Sequence, residues 1–296
     1  MGRILFKIAM VPVKAVAWTL LTITFCFTAF AAYVFWKVPS DKTIKGCFTT
    51  SMYQVYLCPG SKNYVPLKQI SPYVIKAILS TEDSAFFSHD GFDWEQMENS
   101  FKKNIEKKGF YRGGSTITQQ LAKNLFLSKE KSILRKVVEA AITRKLETVL
   151  SKPQILERYM NVVQFDKNVF GVKAAAEHYF HKAPSQLNLM ESAFLAFLLP
   201  NPEKYSRSFH QKQLTPYAHK RLKQIIFNLY SAHRVSEEEY QGALAAMPVF
   251  LGSGPGTAGN SASSKDDQDP EEDDDSSFNP LNWLRSDEDS SGDETE

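Results

Sequence analysis

Apolar residues recur at helical spacing through most of the chain between residues 71 and 250. The stretch SPYVIKAILSTED begins with Ser71 as a helix cap and Pro72 at the first helical position. Seven further stretches carry the same period: STITQQLAKNLFL, KSILRKVVEAAITRKLETVL, KPQILERYMNVV, GVKAAAEHYF, NLMESAFLAFLL, PYAHKRLKQIIFNLYSAH and SEEEYQGALAAM. The sequence contains no sustained β alternation and no internal repeat. We therefore predict a mainly α body.

An uncharged apolar run, AVAWTLLTITFCFTAFAAYVFW, occupies residues 15–36. As a helix it is about 33 Å long, enough to cross the hydrocarbon core of a bilayer. Basic residues precede the run and aromatic residues lie near its ends, as is typical of transmembrane helices: Arg3, Lys7, Lys14, Trp18, Tyr33 and Trp36. We predict a cytoplasmic N-terminus at 1–14, a single transmembrane helix at 15–36 and a body outside the cytoplasm. A cleaved signal peptide is the alternative, although its apolar core is typically shorter.

Residues 37–70 are predicted to be a connecting segment with short β-prone pieces such as MYQVYL. Cys47 and Cys58 flank this piece, and in an oxidising compartment they form either a disulfide across a short hairpin or two unpaired thiols.

Residues 251–296 are rich in Gly, Ser, Pro and Asp and too polar to bury a core, so we expect a disordered acidic tail there. The globular domain is accordingly predicted at 71–250.

The net charge of +2 conceals two regions of opposite sign. The segment 261–296 holds fourteen Asp and Glu against one Lys and one Arg, so the remainder of the chain carries about +14. A body this basic indicates an anionic partner: nucleic acid, anionic lipid or a phosphate-bearing substrate. Because the predicted topology puts the body outside the cytoplasm, we expect no nucleic acid partner.

One glutamate lies inside the apolar stripe of a predicted helix. On a helical wheel of LRKVVEAAITRKLETVL, Glu139 falls on the same face as Ile142 and Leu146. A carboxylate in that position needs a cation or hydrogen bonds, and Arg135 lies one turn earlier on the same face. A buried ion pair with a purely structural role is the alternative to a functional site.

A second acidic position comes in the stretch TEDSAFFSHDGFD, where Glu82 and Asp83 precede Phe86 and Phe87. Apolar neighbours raise the pKa of a carboxylate in general and suit it to proton transfer. Glu82 and Glu139, on different helices, would then share a cleft, and paired carboxylates in unequal surroundings make or break glycosidic bonds. Asp83 serves equally well as a helix-end cap or salt-bridge partner. His89 is expected to form a hydrogen bond within its own loop.

Between the two glutamates, a two-glycine turn leads into a helix start at Thr116. Backbone N–H groups at such a start suit anionic oxygens. Lys123 follows two turns later and, with Arg135 and Lys136, would supply cations for a pyrophosphate group. An ordinary helix cap with solvated lysines is the alternative.

Five motifs in order carry a family resemblance: TEDSAFFSHDGFD, RGGSTITQQLAKNLFL, RKVVE, ILERYMNVVQF and FGVKAAAEHYF. Between about residues 72 and 207 the chain resembles the monofunctional biosynthetic peptidoglycan glycosyltransferases, which are related to the glycosyltransferase domain of bifunctional penicillin-binding proteins. It departs from that family at Asp166 and His181, where the family usually has Gly.

The resemblance implies a mainly α, lysozyme-like domain with a small membrane-facing lobe, here the basic and aromatic stretch FKKNIEKKGFYRGG at 101–114. The implied reaction is polymerisation of lipid II into glycan strands with release of undecaprenyl pyrophosphate, at the outer face of the cytoplasmic (inner) membrane. Glu82 would be the general base. Lys123 and Arg135 would neutralise the pyrophosphate, helped by a divalent cation, Mg²⁺ or Mn²⁺. Glu139 would orient these cations or support the metal.

The motifs also imply a set of substrate contacts: Asp83, Thr116, Gln120, Lys123, Arg135, Lys136 and Asn161. The implied partners are lipid II, the growing strand, membrane phospholipid and other cell wall synthesis or division proteins, without an organic cofactor. Nothing after the fifth motif resembles the Ser-x-x-Lys nucleophile of a transpeptidase, so we expect none. Two other functions stay open: a membrane-bound lysozyme-like hydrolase or lytic transglycosylase, and a non-catalytic membrane scaffold.

Overall fold

The computed structural model describes residues 2–106, 114–130 and 132–252, with side chains for 16–102, 114–130 and 132–251. Half of the predicted membrane-facing lobe, residues 107–113, and nearly all of the predicted acidic tail therefore lie outside the described residues.

Thirteen α-helices and four short strands make up the described part of the chain. The helices are α1 (Gly2–Lys37), α2 (Asp41–Lys45), α3 (Pro72–Glu82), α4 (Trp94–Glu106), α5 (Ile117–Phe126), α6 (Ile133–Val149), α7 (Lys152–Val162), α8 (Gly171–Phe180), α9 (Leu189–Leu198), α10 (Pro202–Tyr205), α11 (Arg207–His210), α12 (Pro216–Ser231) and α13 (Glu237–Ala246). The strands are β1 (Phe48–Thr49), β2 (Tyr56–Leu57), β3 (Gln164–Asp166) and β4 (Val169–Phe170). Single 3-10 turns lie at Leu67–Gln69 and Pro184–Gln186, and a kinked 3-10 segment lies at Met247–Gly252. All eight helices predicted from periodicity are confirmed.

Helix starts follow the capping residues of the sequence. The Ser71 hydroxyl accepts the Tyr73 N–H at 3.3 Å, and Pro72 takes the first position of α3, where its missing N–H costs nothing. Thr116 and Gln119 form a reciprocal capping box at the start of α5. Both starts agree with the prediction.

Helix α9 forms the centre of the body. Its sequence LMESAFLAFL is buried along its whole length, as expected for a helix that is apolar on nearly every side. It packs against α3, α12 and α13. A second group follows from α5, which packs on both α6 and α7, while α7 packs on α8. This arrangement brings the C-terminal end of α3, the face of α5 and the buried side of α6 into one region.

The N-terminal helix α1 is long and apolar enough, by length and composition, to cross a membrane. Most of its described apolar side chains are exposed, which distinguishes it from a core helix, and Val34 near its C-terminal end packs against the body. The C-terminal part of the helix contacts α6. An ion pair between Asp41 of α2 and Lys145 of α6 also ties this junction to the body. The predicted membrane helix is thus confirmed as a candidate span.

Residues 37–70 form part of the body as well as connecting it to α1. Strands β1 and β2 pair antiparallel, with Phe48 opposite Leu57, and the disulfide Cys47–Cys58 closes this hairpin. Ile44, Leu57 and Val65 are buried in the core. The structure thus selects the disulfide over two free thiols, and only the end of MYQVYL becomes a strand.

A second two-stranded sheet joins β3 and β4, also antiparallel, with Gln164 opposite Phe170 and Asp166 opposite Val169. The register shifts between Gln164 and Asp166, and Asn168 in the turn has a positive φ of 69°. The chain then enters α8 through Gly171, whose φ is 78°. A Cβ on Gly171 would lie 2.6 Å from the Asn161 carbonyl oxygen, so only glycine allows α7 and α8 to approach this closely.

Candidate active site

Glu82 is the last residue of α3 and lies partly exposed at the end of that helix. Its Oε2 accepts a hydrogen bond of 2.8 Å from Nε2 of Gln120, one turn into α5. Packing of α3 and α5 in one body thus places the predicted base beside a predicted substrate-contact residue. A neutral amide donor next to a carboxylate fixes its orientation without supplying a counter-charge.

Asp83 is oriented differently from Glu82, although the two are adjacent. Its side chain is fully buried. One oxygen accepts the Ile117 N–H at 2.9 Å, and the other accepts a hydrogen bond from His89 Nε2 at 2.9 Å. His89 Nδ1 accepts the Gly91 N–H at 3.1 Å, so the proton of a neutral ring lies on Nε2. Asp83 therefore joins α5 to the loop after α3, as its capping alternative predicts, and its predicted substrate contact stays a prediction. His89 bonds within its loop as predicted.

At the start of α5, where an anion site was predicted, three backbone N–H groups bond to side chains of the protein. The N–H of Ile117 is taken by Asp83, while those of Thr116 and Gln119 bond to the side chains of the capping box. The Thr116 hydroxyl is buried and donates to the Gly91 carbonyl at 2.7 Å. These groups stabilise the helix start and leave Thr116 no free donor for a substrate phosphate.

Asn161, the last predicted contact, anchors the segment before α3. Its Oδ1 accepts the Val65 N–H at 2.8 Å, and its Nδ2 donates to the carbonyls of Val65 and Glu157 at 2.9 and 2.7 Å. Glu157 extends this anchor because its carboxylate accepts bonds from Tyr64 and the Leu67 N–H. The amide of Asn161 thus has a structural role, and its predicted substrate contact stays a prediction.

Glu139 is buried in α6, with only 2% of its surface exposed, as the helical wheel predicts. Its Oε2 lies 3.4 Å from Arg135 Nη1, and its Oε1 pairs with Lys136 Nζ. The side chains of Arg135 and Lys136 are 19% and 49% exposed, so both cations reach the surface from a buried anion. Arg135 Nε is buried and has no hydrogen-bond partner among the residues that the structure describes.

Lys123 lies three residues after Gln120 on α5, and side chains at this spacing share one face of a helix. Its side chain is partly exposed. Because Gln120 reaches Glu82, this face of α5 is the one turned towards the end of α3. Lys123 therefore lies one turn beyond the predicted base.

The two phenylalanines after Asp83 separate in the structure. Phe86 is fully buried, with Lys152 Nζ 4.5 Å from its ring centre, whereas Phe87 is 59% exposed. Phe86 thus belongs to the core under the site. Phe87 adds to the exposed apolar surface of this loop.

Sequence reasoning missed Tyr159 of α7. Its hydroxyl is 3.1 Å from Gln120 Oε1, and the side chain is fully buried. Burial, followed by the negative charges of Glu82 and Asp83, raises the pKa of Tyr159 well above its usual value. The motif ILERYMNVVQF contains this tyrosine, but its helical spacing indicates only that it faces the core.

The two departures from the family pattern have distinct consequences. His181 ends α8 with a φ of 52°, in the left-handed region that glycine adopts most easily. Asp166 is buried, and its carboxylate accepts bonds from Ser206 at 2.8 Å, His210 at 2.9 Å and Tyr179 at 3.1 Å. Asp166 therefore adds a polar cluster that joins β3 to α8 and α11, with partners separate from those of Glu82 and Glu139.

The residues around Glu139 do not fit a resident divalent cation. Both of its carboxylate oxygens already face Lys136 or Arg135. Among the side chains that the structure describes, no group of three or more His, Cys, Asp or Glu is arranged to hold a metal ion. We therefore assign no step to the Mg²⁺ or Mn²⁺ that the resemblance implies.

A helical body with two carboxylates in contrasting surroundings is typical of proteins that make or break glycosidic bonds. The family model described as Transglycosylase matches residues 51–229, more than half of the chain, and the chain belongs to this family.

Several curated relatives are named biosynthetic peptidoglycan transglycosylase. The protein of Aromatoleum aromaticum is 50% identical over 146 residues, which cover 49% of this chain and 64% of the relative. That of Dechloromonas aromatica is 47% identical over 147 residues, 50% of this chain and 64% of the relative. That of Nitrosospira multiformis is 42% identical over 169 residues, which cover 57% of this chain and 72% of the relative. The chain thus spans somewhat less than two thirds of the length of the first two relatives.

Proposed function

We propose that this protein is a peptidoglycan glycosyltransferase that polymerises lipid II into glycan strands in cell wall biosynthesis. The observation that carries the proposal is the contrast between two glutamates. Glu82 lies partly exposed at a helix end and accepts a hydrogen bond from a neutral amide, while Glu139 is buried against Arg135 and Lys136. Membership of the transglycosylase family and the names of its relatives support the same activity.

In the proposed reaction Glu82 accepts the proton of the GlcNAc 4-hydroxyl of an incoming lipid II. The hydroxyl oxygen forms a bond to C1 of the MurNAc at the end of the growing strand, with inversion at that carbon. The bond from C1 to the pyrophosphate oxygen breaks, and undecaprenyl pyrophosphate leaves with the electron pair. A carboxylate at a partly exposed helix end is accessible for this proton transfer.

The leaving pyrophosphate needs positive charge rather than a second base. Arg135 and Lys136 supply two cations against the single charge of Glu139, and Lys123 lies on the face of α5 that carries Gln120. Arg135 Nε, which has no partner in the described part of the chain, adds an N–H donor next to this cluster. In this proposal Glu139 orients the cations, which is the first of the two roles expected for it. Cations held in fixed positions stabilise the negative charge that develops on a leaving group in the transition state.

The proposed setting is the cytoplasmic membrane, with α1 as a single-pass anchor and the body on its extracytoplasmic side. The basic residues before the apolar run of α1 support this orientation. Membrane phospholipid, the growing strand and other cell wall synthesis or division proteins are the proposed partners.

The test is turnover of labelled lipid II by the full-length protein and its Glu82→Gln variant. The amide keeps the side chain's shape but cannot act as a base, so polymerisation should fall by on the order of a hundredfold or more while the thermal unfolding temperature is kept. Glu177→Gln, which changes an exposed glutamate of α8, is the matched control and should keep full activity. A Glu82→Gln variant with more than about a tenth of the wild-type rate would remove Glu82 from its proposed role.

The same assay separates the two alternatives. A lysozyme-like hydrolase or lytic transglycosylase would degrade finished glycan and leave lipid II unpolymerised. A non-catalytic scaffold would do neither. Polymer that depends on Glu82 supports only the glycosyltransferase.

A further inference from the structure

Three helices are joined by a short chain of side-chain hydrogen bonds that ends on the proposed base. The hydroxyl of Tyr159 on α7 is 3.1 Å from Gln120 Oε1 on α5. The other end of the same amide, Nε2, is 2.8 Å from Glu82 Oε2 at the end of α3. Gln120 therefore bridges a core tyrosine and the carboxylate.

The chemistry of these groups fixes the direction of each bond. An ionised carboxylate only accepts hydrogen bonds, so the nitrogen of Gln120 must face Glu82. The amide oxygen then faces Tyr159, and this oxygen only accepts. The tyrosine hydroxyl must consequently be the donor in the first bond.

Tyr159 is well suited to this fixed donor role. Its side chain is fully buried, and its neighbours on α7, Ile155 and Leu156, are buried with it. Burial, together with the charges of Glu82 and Asp83, raises the pKa of the hydroxyl, so it stays protonated through the range in which a carboxylate base works. The ring has little freedom to move, whereas the terminal torsion of a glutamine is broad and roughly two-fold.

We propose that Tyr159 is a positioning residue for the glycosyl transfer, which holds the Gln120 amide with its nitrogen towards Glu82 and so fixes the direction of the base. The inference rests on the proposed function, because its kinetic test uses turnover of lipid II. Without the hydroxyl, the amide is able to rotate and present its oxygen to the carboxylate, which repels it. Glu82 then loses both a hydrogen-bond donor and its fixed orientation.

The kinetic test compares Tyr159→Phe with the wild-type, full-length protein. We expect kcat to fall by about tenfold, the equivalent of one lost hydrogen bond, with KM for lipid II unchanged within about twofold. The acidic limb of the pH–rate profile should move to higher pH, because a carboxylate without its donor is harder to ionise. Tyr179→Phe is the matched control, since this tyrosine is also buried but its hydroxyl bonds to Phe165 O and Asp166. The control should leave the pH–rate profile in place.

A double-mutant cycle distinguishes positioning from general support of the core. If Tyr159 acts through Gln120, Tyr159→Phe should have no further effect on kcat in a Gln120→Ala background. The proposal would be overturned if the loss of kcat in the double variant equalled the sum of the losses in the two single variants, in free-energy terms. An unchanged kcat and pH–rate profile in Tyr159→Phe would also overturn it.

A measurement that is independent of turnover distinguishes failure of the positioning role of Tyr159 from failure of the proposed function. The side-chain ¹⁵N–¹H₂ resonance of Gln120, assigned by its loss in Gln120→Ala, should shift with pH in the wild type and stop shifting in Glu82→Gln. In Tyr159→Phe the resonance should broaden or move. An unchanged resonance in Tyr159→Phe would refute the positioning role whether or not the wild type polymerises lipid II, whereas an inactive wild type with the expected resonances would refute only the proposed function.

Discussion

At the scale of single residues, the site separates proton transfer from charge neutralisation. Glu82 accepts a hydrogen bond from the neutral amide of Gln120 at a partly exposed helix end, where a carboxylate is accessible for proton transfer. Glu139 is buried and faces two cations, so the cluster carries a net positive charge. A buried charge that is matched in this way tolerates desolvation, and the surplus positive charge is available to an anionic group.

Arg135→Ala tests the role of this cluster. Loss of the guanidinium should raise KM for lipid II by about tenfold, which corresponds to roughly 1.4 kcal/mol of binding to a pyrophosphate, measured by initial rates. Arg144→Ala, which changes a largely exposed arginine of the same helix, is the matched control and should leave KM unchanged. If Arg135→Ala instead unfolds the protein and the surviving fraction has wild-type kinetics, the ion pair is purely structural.

The sequence predicts some of these residues better than others for a physical reason. Burial of Glu139 follows from the 3.6-residue period, which fixes the face that a side chain occupies. Asp83, Thr116 and Asn161 carry the polar groups expected at a binding site, yet in the structure they bond to backbone groups of neighbouring elements. Local pattern does not distinguish a polar group that faces a substrate from one that satisfies a distant N–H. For the same reason the contact of Tyr159 with Gln120, which is 39 residues away in the sequence, was not predicted.

At the scale of elements, helices with caps and a long apolar stripe were predictable, and the short or polar ones were not. Helix α4, with the sequence WEQMENSFKKNIE, has few apolar positions to set a period, and it was not predicted. Helices α10 and α11 have four residues each, too few for periodicity to be read. The strands of two or three residues depend on tertiary context, including the disulfide that closes β1 and β2.

Asp166 provides a test of how elements are held together around the second sheet. Burial raises the pKa of this carboxyl, but hydrogen bonds from Ser206, the Lys167 N–H, His210 and Tyr179 outweigh burial and hold the pKa below its usual value. Asp166→Asn should therefore lower the free energy of unfolding by about 1–3 kcal/mol at pH 7.

The pH dependence of this effect follows from the sign of the shift. A carboxyl whose pKa is lower in the folded state stabilises the protein above the unfolded value, near 3.9, and loses that contribution as pH falls through the folded value. The difference between wild type and Asp166→Asn should thus narrow below about pH 4 in unfolding curves followed by circular dichroism. Asp90→Asn, at a highly exposed position, is the control. A constant difference from pH 7 to below pH 4 would show that the charge of Asp166 contributes nothing, including through His178 and His210, which also face it.

At the scale of the whole molecule, charge is divided along the chain. The segment 261–296 is strongly acidic and the rest of the chain basic, with α1 as a candidate anchor that contacts α6. Lys102 opens the basic stretch before the start of α5 and has an exposed side chain. A bilayer with anionic lipid repels the acidic segment and attracts this stretch. We therefore expect the acidic segment and the lipid surface to compete for the same basic residues.

We hypothesise that this competition tempers activity, and removal of residues 253–296 tests it. A stop after Gly252 keeps Phe250, whose ring packs on Phe180 and Phe194. In vesicles that contain anionic lipid, the truncated protein should polymerise lipid II faster than the full-length protein at low salt. The difference in rate should shrink as the Debye length contracts from about 30 Å at 0.01 M to about 8 Å at 0.15 M salt.

A full-length variant whose tail acids are replaced by Asn and Gln is the matched control for chain length and should behave like the truncation, since charge is the proposed cause. Equal rates for all three proteins at low salt, or an advantage of the truncation that persists in purely zwitterionic vesicles, would contradict electrostatic competition.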